Sequence, residues 1–492
     1  MNSGLTSTLK KLNNKVDQTK TPLATALEKE CLLCAVPLDV PGHKGNIKEL
    51  KEYYGEKAVF LDKNSRPSID NICQPTGVIK EAEELAAIAF GASHAFFMTN
   101  GTTSAVQTMV MSAIFPGEKI IMPRNVHVSV INAVILAGGV PVYVDPSVHV
   151  EYGIPLGMKD EDILWTIKNN PDAKAVLVNN PTYYGVCSNL KKIVEFAHNY
   201  KMKVLVDEAH GTHFYFGDHM PINAMKAGAD YSAVSMHKTG GSLTQSSLLL
   251  ISNKVDSQQV RKIINLTVST SASYLLLSSI DIARKKLACE GRSLINKLCS
   301  FVSEGAKEIS KINGLKVLTR ENMIKESAVY DYDPTKLAVN TVGTGLAGIE
   351  VYNLLKEEYN IQLEFGDISN ILALPAVGDS ENYSLILAKA LADIVNKHGN
   401  KQTPGYFYEY IKPIVKIPPR DAFYFPQEEI LFEDCEGRIS GEYVMCYPPG
   451  IPLLAPGELI TKEILAHIDY SKKKGCKLIG GNGEITQISV VK

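Results

Sequence analysis

The sequence predicts an α/β protein built on a large, mostly parallel seven-stranded sheet with helices on both faces. Seven apolar runs of strand length lie between residues 95 and 252, and stretches with helical character separate most of them. Several runs are continuously apolar and do not alternate, as expected for strands that are covered on both faces. Strands that alternate with helices along a chain indicate this fold class.

The elements follow one another regularly along the first half of the chain. The apolar runs are, in order, AFFMT, KIIMP, PVYVD, AVLVN, KVLVDEA, YSAVSM and SSLLLIS. Helices are predicted at 102–114 and 128–137, after the first two runs. The sheet region is expected to end near Leu266, and a long helix beginning at YLLLSSID follows it.

Four segments are expected along the 492 residues. An N-terminal segment covers 1–40, and the large domain covers 41–311. A small α+β domain at 312–398 contains the apolar runs KLAVNTV and NILALPAV, with a helix from Gly348 to Tyr359 between them. A C-terminal domain at 399–492 opens with a stretch rich in proline and aromatic residues.

Composition excludes several classes of function. The chain is 45% hydrophobic with a net charge of −2, which is globular and lacks the basic surface of a nucleic-acid-binding protein. No apolar run long enough to span a membrane and no signal peptide are visible. Nine scattered cysteines favour a reducing, cytoplasmic setting. Cys31 and Cys34 form a C-x-x-C pair without a second pair, so no metal or redox role is expected.

Ligands of parallel sheets bind beyond the carboxyl ends of the strands, where the first candidate group is TNGTTSA at 99–105. Small residues and the N-terminus of a helix favour an anion there, and Thr102, Thr103 and Ser104 add hydroxyl donors. The alternative is a simple helix cap.

Acidic and histidine side chains follow two further strands. Asp207 comes directly after KVLV and could hold a cationic partner, although a capping or solvated acid is the alternative. His127 follows KIIMP, and a single histidine is often structural. His210 and His213 have the i, i+3 spacing of helical metal ligands, but a helix is not expected beside Gly211, so no metal site is predicted.

Lys238 follows the predicted strand Tyr231–Met236 and precedes the small residues TGGS. One interpretation is that its amine simply reaches water. The other is that burial makes the neutral, nucleophilic amine accessible for a Schiff base. An anion-binding loop, a carboxylate for a ring nitrogen, an aromatic side chain and this lysine together meet the requirements of pyridoxal 5′-phosphate (PLP).

Eight motifs in order carry a family resemblance over about residues 37–460. They are PGHKGN, NGTTSA, PRNVH, NNPTYYG, VDEAHG, SMHKTGGSLTQSS, STSASYLLLSSID and YPPGIPLLAPGE. The sequence resembles the prokaryotic ornithine/lysine/arginine decarboxylase family, whose members have fold type I of the PLP enzymes. It is most similar to the short branch of arginine decarboxylases, and the wing domain that precedes the large domain in longer members is not expected.

The resemblance implies a role for each site residue. Lys238 would carry PLP as a Schiff base, Asp207 would pair with the pyridine nitrogen, and His127 would stack on the ring. The remaining residues implied at the cofactor are Thr102, Thr103, Ser104, Ala209, His210, Ser235 and His237. Ser269, Thr270 and Ser271 would reach the cofactor of a neighbouring subunit, which implies a homodimer or a higher oligomer with shared sites. Glu364, with Asp367 as a second candidate, would bind the distal cation of the substrate.

The expected activity is α-decarboxylation of a basic L-amino acid in polyamine biosynthesis, with arginine first and lysine or ornithine next. Either His127 or Lys238 would return the proton to Cα. Asn71 and Cys73 in DNICQP, together with Val128, depart from the family pattern, which leaves the substrate open. Alternatives are another fold type I reaction, such as transamination or elimination, and a non-catalytic paralogue. The retained lysine and ring carboxylate argue against the paralogue.

Overall fold

A computed structural model of the chain describes residues 16–33, 36–399, 410–447, 450–473 and 475–492. Expectations for residues 1–15 and for Cys34 lie outside these ranges. The described helices of at least one turn are α1 (Pro22–Leu33), α2 (Lys48–Tyr54), α3 (Glu56–Leu61), α4 (Val78–Phe90), α5 (Gly101–Ala113), α6 (Val128–Ala137), α7 (Asp160–Asn169), α8 (Leu190–Asn199), α9 (Ala224–Ala227), α10 (Met236–Thr239), α11 (Ser257–Thr267), α12 (Tyr274–Ile309), α13 (Arg320–Met323), α14 (Gly348–Tyr359), α15 (Tyr383–His398), α16 (Pro419–Tyr424) and α17 (Lys462–Lys473).

The described strands form one large sheet and several small ones. They are β1 (His94–Met98), β2 (Lys119–Pro123), β3 (Val140–Val144), β4 (Val148–His149), β5 (Ile154–Pro155), β6 (Ala175–Asn179), β7 (Val186–Cys187), β8 (Lys203–Glu208), β9 (Tyr231–Val234), β10 (Ser247–Ile251), β11 (Lys316–Val317), β12 (Asp331–Tyr332), β13 (Leu337–Asn340), β14 (Phe365–Gly366), β15 (Asn370–Ala373), β16 (Gln427–Leu431), β17 (Val444–Cys446), β18 (Ile451–Leu454), β19 (Leu478–Ile479) and β20 (Gln487–Val491).

The large sheet has seven strands in the order β1-β10-β9-β8-β6-β2-β3. Neighbours from β9 to β3 pair in parallel, and β10 is antiparallel to both β1 and β9. Only β10 therefore runs against the common direction. The predicted fold class, a mostly parallel seven-stranded α/β sheet, is confirmed.

Strand β8 shows why the apolar runs are continuous. Successive side chains of a strand point to opposite faces of the sheet. Leu205 packs in the core formed with α5 and α6, whereas Val204 and Val206 pack in the core formed with α8. All three side chains are fully buried. Both faces of the strand must therefore be apolar, which removes the alternation that a half-exposed strand would show.

The segment around Lys238 differs from the sequence-based expectation. Strand β9 ends at Val234 and not at Met236, and Met236–Thr239 form the helical turn α10. The turn forms because the Gly240 N–H donates to the carbonyl of Met236 and the His237 N–H reaches across to Ser246 O. Lys238 therefore lies on a helical turn beyond the strand and not at the strand end.

Two further cores lie in the second half of the described chain. The small sheet β11-β13-β15-β14 shares a core with α14, α15 and the end of α12. Strands β16–β20 and α17 form another core. The last strand of the large sheet ends at Ile251, and α11 occupies the residues up to Thr267. Within the described ranges, no helix combines the length and apolarity that crossing a membrane requires.

Candidate active site

Lys238 lies where the carboxyl ends of the central parallel strands meet. Its Nζ is 3.0 Å from His210 Nε2 and 5.7 Å from the centre of the Tyr183 ring. Burial lowers the pKa of Lys238, and the carboxylates of Asp207 and Glu364 oppose this shift. The setting favours the neutral amine more than water does, as a nucleophilic lysine requires.

Asp207 occupies the penultimate position of β8 and is 5% exposed. Among the described residues, its side chain accepts one hydrogen bond, from the Ala209 N–H to Oδ1 at 3.1 Å. Burial raises the pKa of Asp207, while the Ala209 N–H and the Lys238 ammonium oppose the rise. A buried carboxylate with so few donors is costly, so a cationic partner at this position would stabilise it.

His127 is the N-terminal capping residue of α6. Its Nδ1 accepts the Ser129 N–H at 3.1 Å, which leaves the ring proton of a neutral imidazole on Nε2. Burial, then the charge of Lys238, lowers the pKa of His127 to about 4. Gly450 has a φ of +80° and lies against the ring, where an added Cβ would be 3.1 Å from Nε2. The ring is thus neutral near pH 7 and held by backbone on one edge.

Of the hydroxyl groups predicted to bind an anion, those of Thr102 and Ser104 are bonded within the protein, whereas Thr103 is exposed. Thr102 Oγ1 bonds to Ser247 Oγ at 2.7 Å and to Ser235 Oγ, which ties the start of α5 to β10 and the end of β9. Ser104 Oγ donates to Gly101 O at 2.9 Å. The Thr103 side chain is exposed in the first turn of α5. Thr103 and the free N–H groups of this turn therefore remain as donors for an anion.

His237 lies beside this cluster on α10. Its Nδ1 is 2.9 Å from Ser246 O, so Nδ1 carries a proton and donates it to that carbonyl. Ala209, which the resemblance places under the cofactor ring, follows Asp207 and Glu208 and is half-buried. The structure thus brings the predicted residues on β8, α10, α5 and α6 to one edge of the sheet.

A cavity of about 350 Å³ adjoins this edge. Tyr183 and Glu364 line it, and the Tyr183 hydroxyl donates to Glu364 Oε1. Asp367 also lines it, but its Oδ1 accepts the N–H groups of Ser369 and Asn370 at 2.8 and 2.6 Å. Asp367 Oδ2 accepts the hydroxyl of Tyr184. Glu364 therefore has more free acceptor capacity than Asp367.

The segment Ser269, Thr270 and Ser271 is exposed between α11 and α12. Its hydrogen bond from the Ser271 N–H to Ser269 Oγ lies within the segment. In this one chain the three residues face solvent, and their predicted role depends on a second subunit.

Two of the three residues that depart from the family pattern, Asn71 and Cys73, lie in a turn against α11. The Asn71 side chain accepts the Cys73 N–H at 2.8 Å, and Asn265 Nδ2 donates to Cys73 O at 2.8 Å. Val128 is the first residue of α6. The Asn71 turn therefore contacts the helix that leads into Ser269–Ser271.

Sequence reasoning missed three contributors to the site. Lys336 is buried, and its Nζ is 3.0 Å from His210 Nδ1. Tyr183 lies between Lys238 and Glu364. The buried pair of Arg124 and Glu458, with two contacts of 2.7 and 2.8 Å, joins the C-terminal segment to the end of β2. The motifs PRNVH, NNPTYYG and YPPGIPLLAPGE contain Arg124, Tyr183 and Glu458, respectively. Lys336 has no local signal, because its partner is remote in sequence.

Comparison with known proteins gives consistent matches. The family "Orn/Lys/Arg decarboxylase, major domain" matches residues 21–383, and its C-terminal domain matches residues 416–480. The chain is 42% identical over 472 residues to an arginine decarboxylase of Bacillus subtilis, covering 94% of this chain and 96% of that protein. It is also 42% identical over 470 residues to an arginine decarboxylase of Halalkalibacterium halodurans, with coverage of 94% and 96%. The solved lysine decarboxylase LdcF of Francisella novicida superimposes with a TM-score of 0.82 at 20% identity, covering 96% of this chain and 81% of that one.

Proposed function

The chain belongs to the Orn/Lys/Arg decarboxylase family and is a decarboxylase of basic amino acids, and we propose that it converts L-arginine to agmatine and carbon dioxide with PLP as cofactor. The observation that carries the proposal is the placement of Lys238, Asp207 and Glu364 around one partly buried region. The two arginine decarboxylases at 42% identity support arginine over lysine and ornithine.

The residues of the site fit the proposed cofactor. Asp207 is a buried carboxylate with a single hydrogen bond among the described residues, and a protonated pyridine nitrogen would supply the missing partner. Thr103 and the first turn of α5 would bind the phosphate, and Ser235 and His237 would lie near it. His127 would lie over the ring, and its neutral state avoids repulsion with the cationic pyridinium. When bound, PLP accepts the electron pair that remains when carbon dioxide leaves.

The protein's own groups bind the substrate and move the protons. Lys238 Nζ would hold the cofactor until the amine of the substrate takes its place. Glu364 would bind the guanidinium of arginine, for which a carboxylate offers a two-point hydrogen bond. Lys238 is the proposed donor of the proton to Cα, since it would take up the proton that the substrate ammonium gives up on binding. His127, with a pKa of about 4, has no excess proton to give near neutral pH.

We extend the proposal to the assembly and its location. The exposed Ser269–Ser271 segment and the exposed Leu266 beside it support a homodimer in which each subunit completes the other's site. The eight cysteines in the described ranges are all unpaired, which supports a cytoplasmic enzyme.

A product assay tests the proposed reaction. The purified protein with PLP is given arginine, lysine and ornithine in equal amounts, and amines, keto acids and carbon dioxide are quantified by mass spectrometry. Agmatine in a one-to-one ratio with carbon dioxide is expected. Release of a keto acid without carbon dioxide would instead assign the chain to transamination, and cadaverine or putrescine as the main amine would overturn the choice of arginine.

A further inference from the structure

Lys336 is a buried lysine that lies close to the half-buried Lys238. It directly precedes β13 and is 3% exposed. Its stem packs so closely against Gly185 that an added Cβ there would be 2.7 Å from Lys336 Cγ. Lysine is almost never buried to this degree unless it is paired. Its Nζ is directed at His210 Nδ1, at 3.0 Å.

His210 connects the two lysines through both of its ring nitrogens. Nδ1 is 3.0 Å from Lys336 Nζ, and Nε2 is 3.0 Å from Lys238 Nζ. Burial and the two lysines hold the pKa of His210 well below its usual value, so the ring is neutral. A neutral imidazole has one donor and one acceptor nitrogen. One lysine therefore donates to the ring, and the other accepts from the ring and must be a neutral amine, because an ammonium has no lone pair.

The fixed charges decide which lysine keeps its proton. Charged and titratable groups that face the two amines are Asp333, Glu364, Cys187, Asp207, His127, His210 and His237. Burial lowers the pKa of Lys336 to about 8, and Asp333, which His213 and Thr335 hold in the interior, opposes this shift. Lys336 therefore remains mostly an ammonium near pH 7. In the proposed function, Asp207 would pair with the ring nitrogen of the cofactor, and Glu364 would pair with the cation of the substrate. Lys336 is then the amine with a permanent acidic neighbour.

We propose that Lys336 is a positioning residue whose ammonium fixes the ring proton of His210 on Nε2, so that this N–H donates to Lys238 Nζ and keeps that amine unprotonated. The inference rests on the proposed function, because it describes how Lys238 is prepared to react with the cofactor. The two lysines also repel each other when both are charged, as the lowering of the Lys336 pKa by the charge of Lys238 shows, so the pair favours a single ammonium.

The pH dependence of cofactor capture tests this role without measuring turnover. Full-length protein freed of cofactor is mixed with PLP across a pH series. The Lys238 amine condenses with the aldehyde, water leaves, and cyanoborohydride reduces the product to a stable secondary amine that peptide mass spectrometry locates. Lys336→Met removes the donor and its charge, so the midpoint of capture at Lys238 should move up by roughly 1 pH unit or more.

Two further variants separate this role from a merely structural one. Lys336→Arg keeps a cationic donor for His210 Nδ1 and should restore the midpoint towards that of the unchanged protein. Lys316→Met removes an exposed lysine of the same small sheet, whose partner is Glu151, and should leave the midpoint in place. A profile of Lys336→Met that superimposes on that of the unchanged protein overturns the proposal.

Nitrogen NMR of His210 in the unchanged protein gives a reading that does not depend on the folding of a variant. The proton is expected on Nε2, and a proton on Nδ1 overturns the proposal. If PLP is captured at Lys238 neither in the unchanged protein nor in any variant, the proposed function and this inference are both refuted. A failure confined to the effect of Lys336 leaves the proposed function standing.

Discussion

At the scale of single residues, Glu364 and Asp367 have different surroundings although both line the cavity. Asp367 accepts two backbone N–H groups and the hydroxyl of Tyr184, which is the pattern of a carboxylate that holds a turn. Glu364 accepts a hydrogen bond from the hydroxyl of Tyr183, and its charge opposes the lowering of the Lys238 pKa. Glu364 is therefore the acid that we expect to bind the distal cation.

Glu364→Gln should raise KM for arginine about tenfold or more, because a charged hydrogen bond contributes roughly 1.5–3 kcal/mol. Steady-state kinetics on the holoenzyme measures this effect, and the cofactor content should stay unchanged. Asp367→Asn is the matched control. It should lower thermal stability, because Asp367 holds a turn, and it should leave KM for arginine nearly unchanged. An unchanged KM in Glu364→Gln would transfer the distal-cation role to another residue.

At the scale of elements, β8 presents two neighbouring acids to opposite sides of the sheet. Asp207 faces the site, and Glu208 is fully buried on the other side, with Tyr215 Oη at 2.5 Å and Ser232 Oγ at 2.6 Å. The Ala224 N–H adds a third contact at 2.9 Å. Glu208 thus ties β8 to β9, to α9 and to the turn that carries Tyr215. Burial raises the pKa of Glu208 to about 7.

Glu208→Gln should change how stability depends on pH. A carboxyl whose folded pKa is about 7 and whose reference value is 4.5 holds a proton in the folded state that the unfolded chain has lost. Its contribution to stability is therefore present near pH 5 and declines as pH rises through 7. From pH 5 to pH 8, the unchanged protein should lose on the order of 2 kcal/mol more unfolding free energy than Glu208→Gln.

Urea unfolding at the two pH values measures this difference. Glu195→Gln, at an exposed position of α8, is the control and should follow the unchanged protein. Equal pH dependence in the unchanged protein and in Glu208→Gln would show that Glu208 is ionised in the folded state.

Elements were more predictable from the sequence than the contacts between them. The helix Val128–Ala137 and the helix Gly348–Tyr359 have the bounds that the sequence predicts, because apolar periodicity and glycine mark their ends locally. Strand β9 is shorter than predicted, since the bonds that turn the chain at Met236 come partly from Ser246 in the next segment. Lys336 could not be found, because its partner His210 lies 126 residues away.

At the scale of the whole molecule, the exposed segment Ser269–Ser271 is the feature on which the proposed homodimer depends. Three hydroxyl residues face solvent directly before the 36-residue helix α12, and Leu266 beside them is 75% exposed. The proposed homodimer would place this segment at the neighbouring site.

Mixed dimers test whether the active sites are shared. Lys238→Ala and the triple variant Ser269→Ala, Thr270→Ala, Ser271→Ala should each have little activity. In a heterodimer, one site combines an intact Lys238 with an intact Ser269–Ser271 segment. Random exchange of subunits should therefore restore up to about a quarter of the original activity. Full exchange, verified by native mass spectrometry, with no recovery would contradict shared sites.

The central claim is that Lys238, and not another lysine, carries the cofactor. Borohydride reduction of the holoenzyme, followed by digestion and peptide mass spectrometry, tests it most directly, because reduction fixes the cofactor to the amine that holds it. The account predicts that all of the cofactor mass is on the peptide containing Lys238, and that Lys336, although buried nearby, is unmodified. Cofactor on Lys336 or on any other lysine, with Lys238 unmodified, would contradict the account.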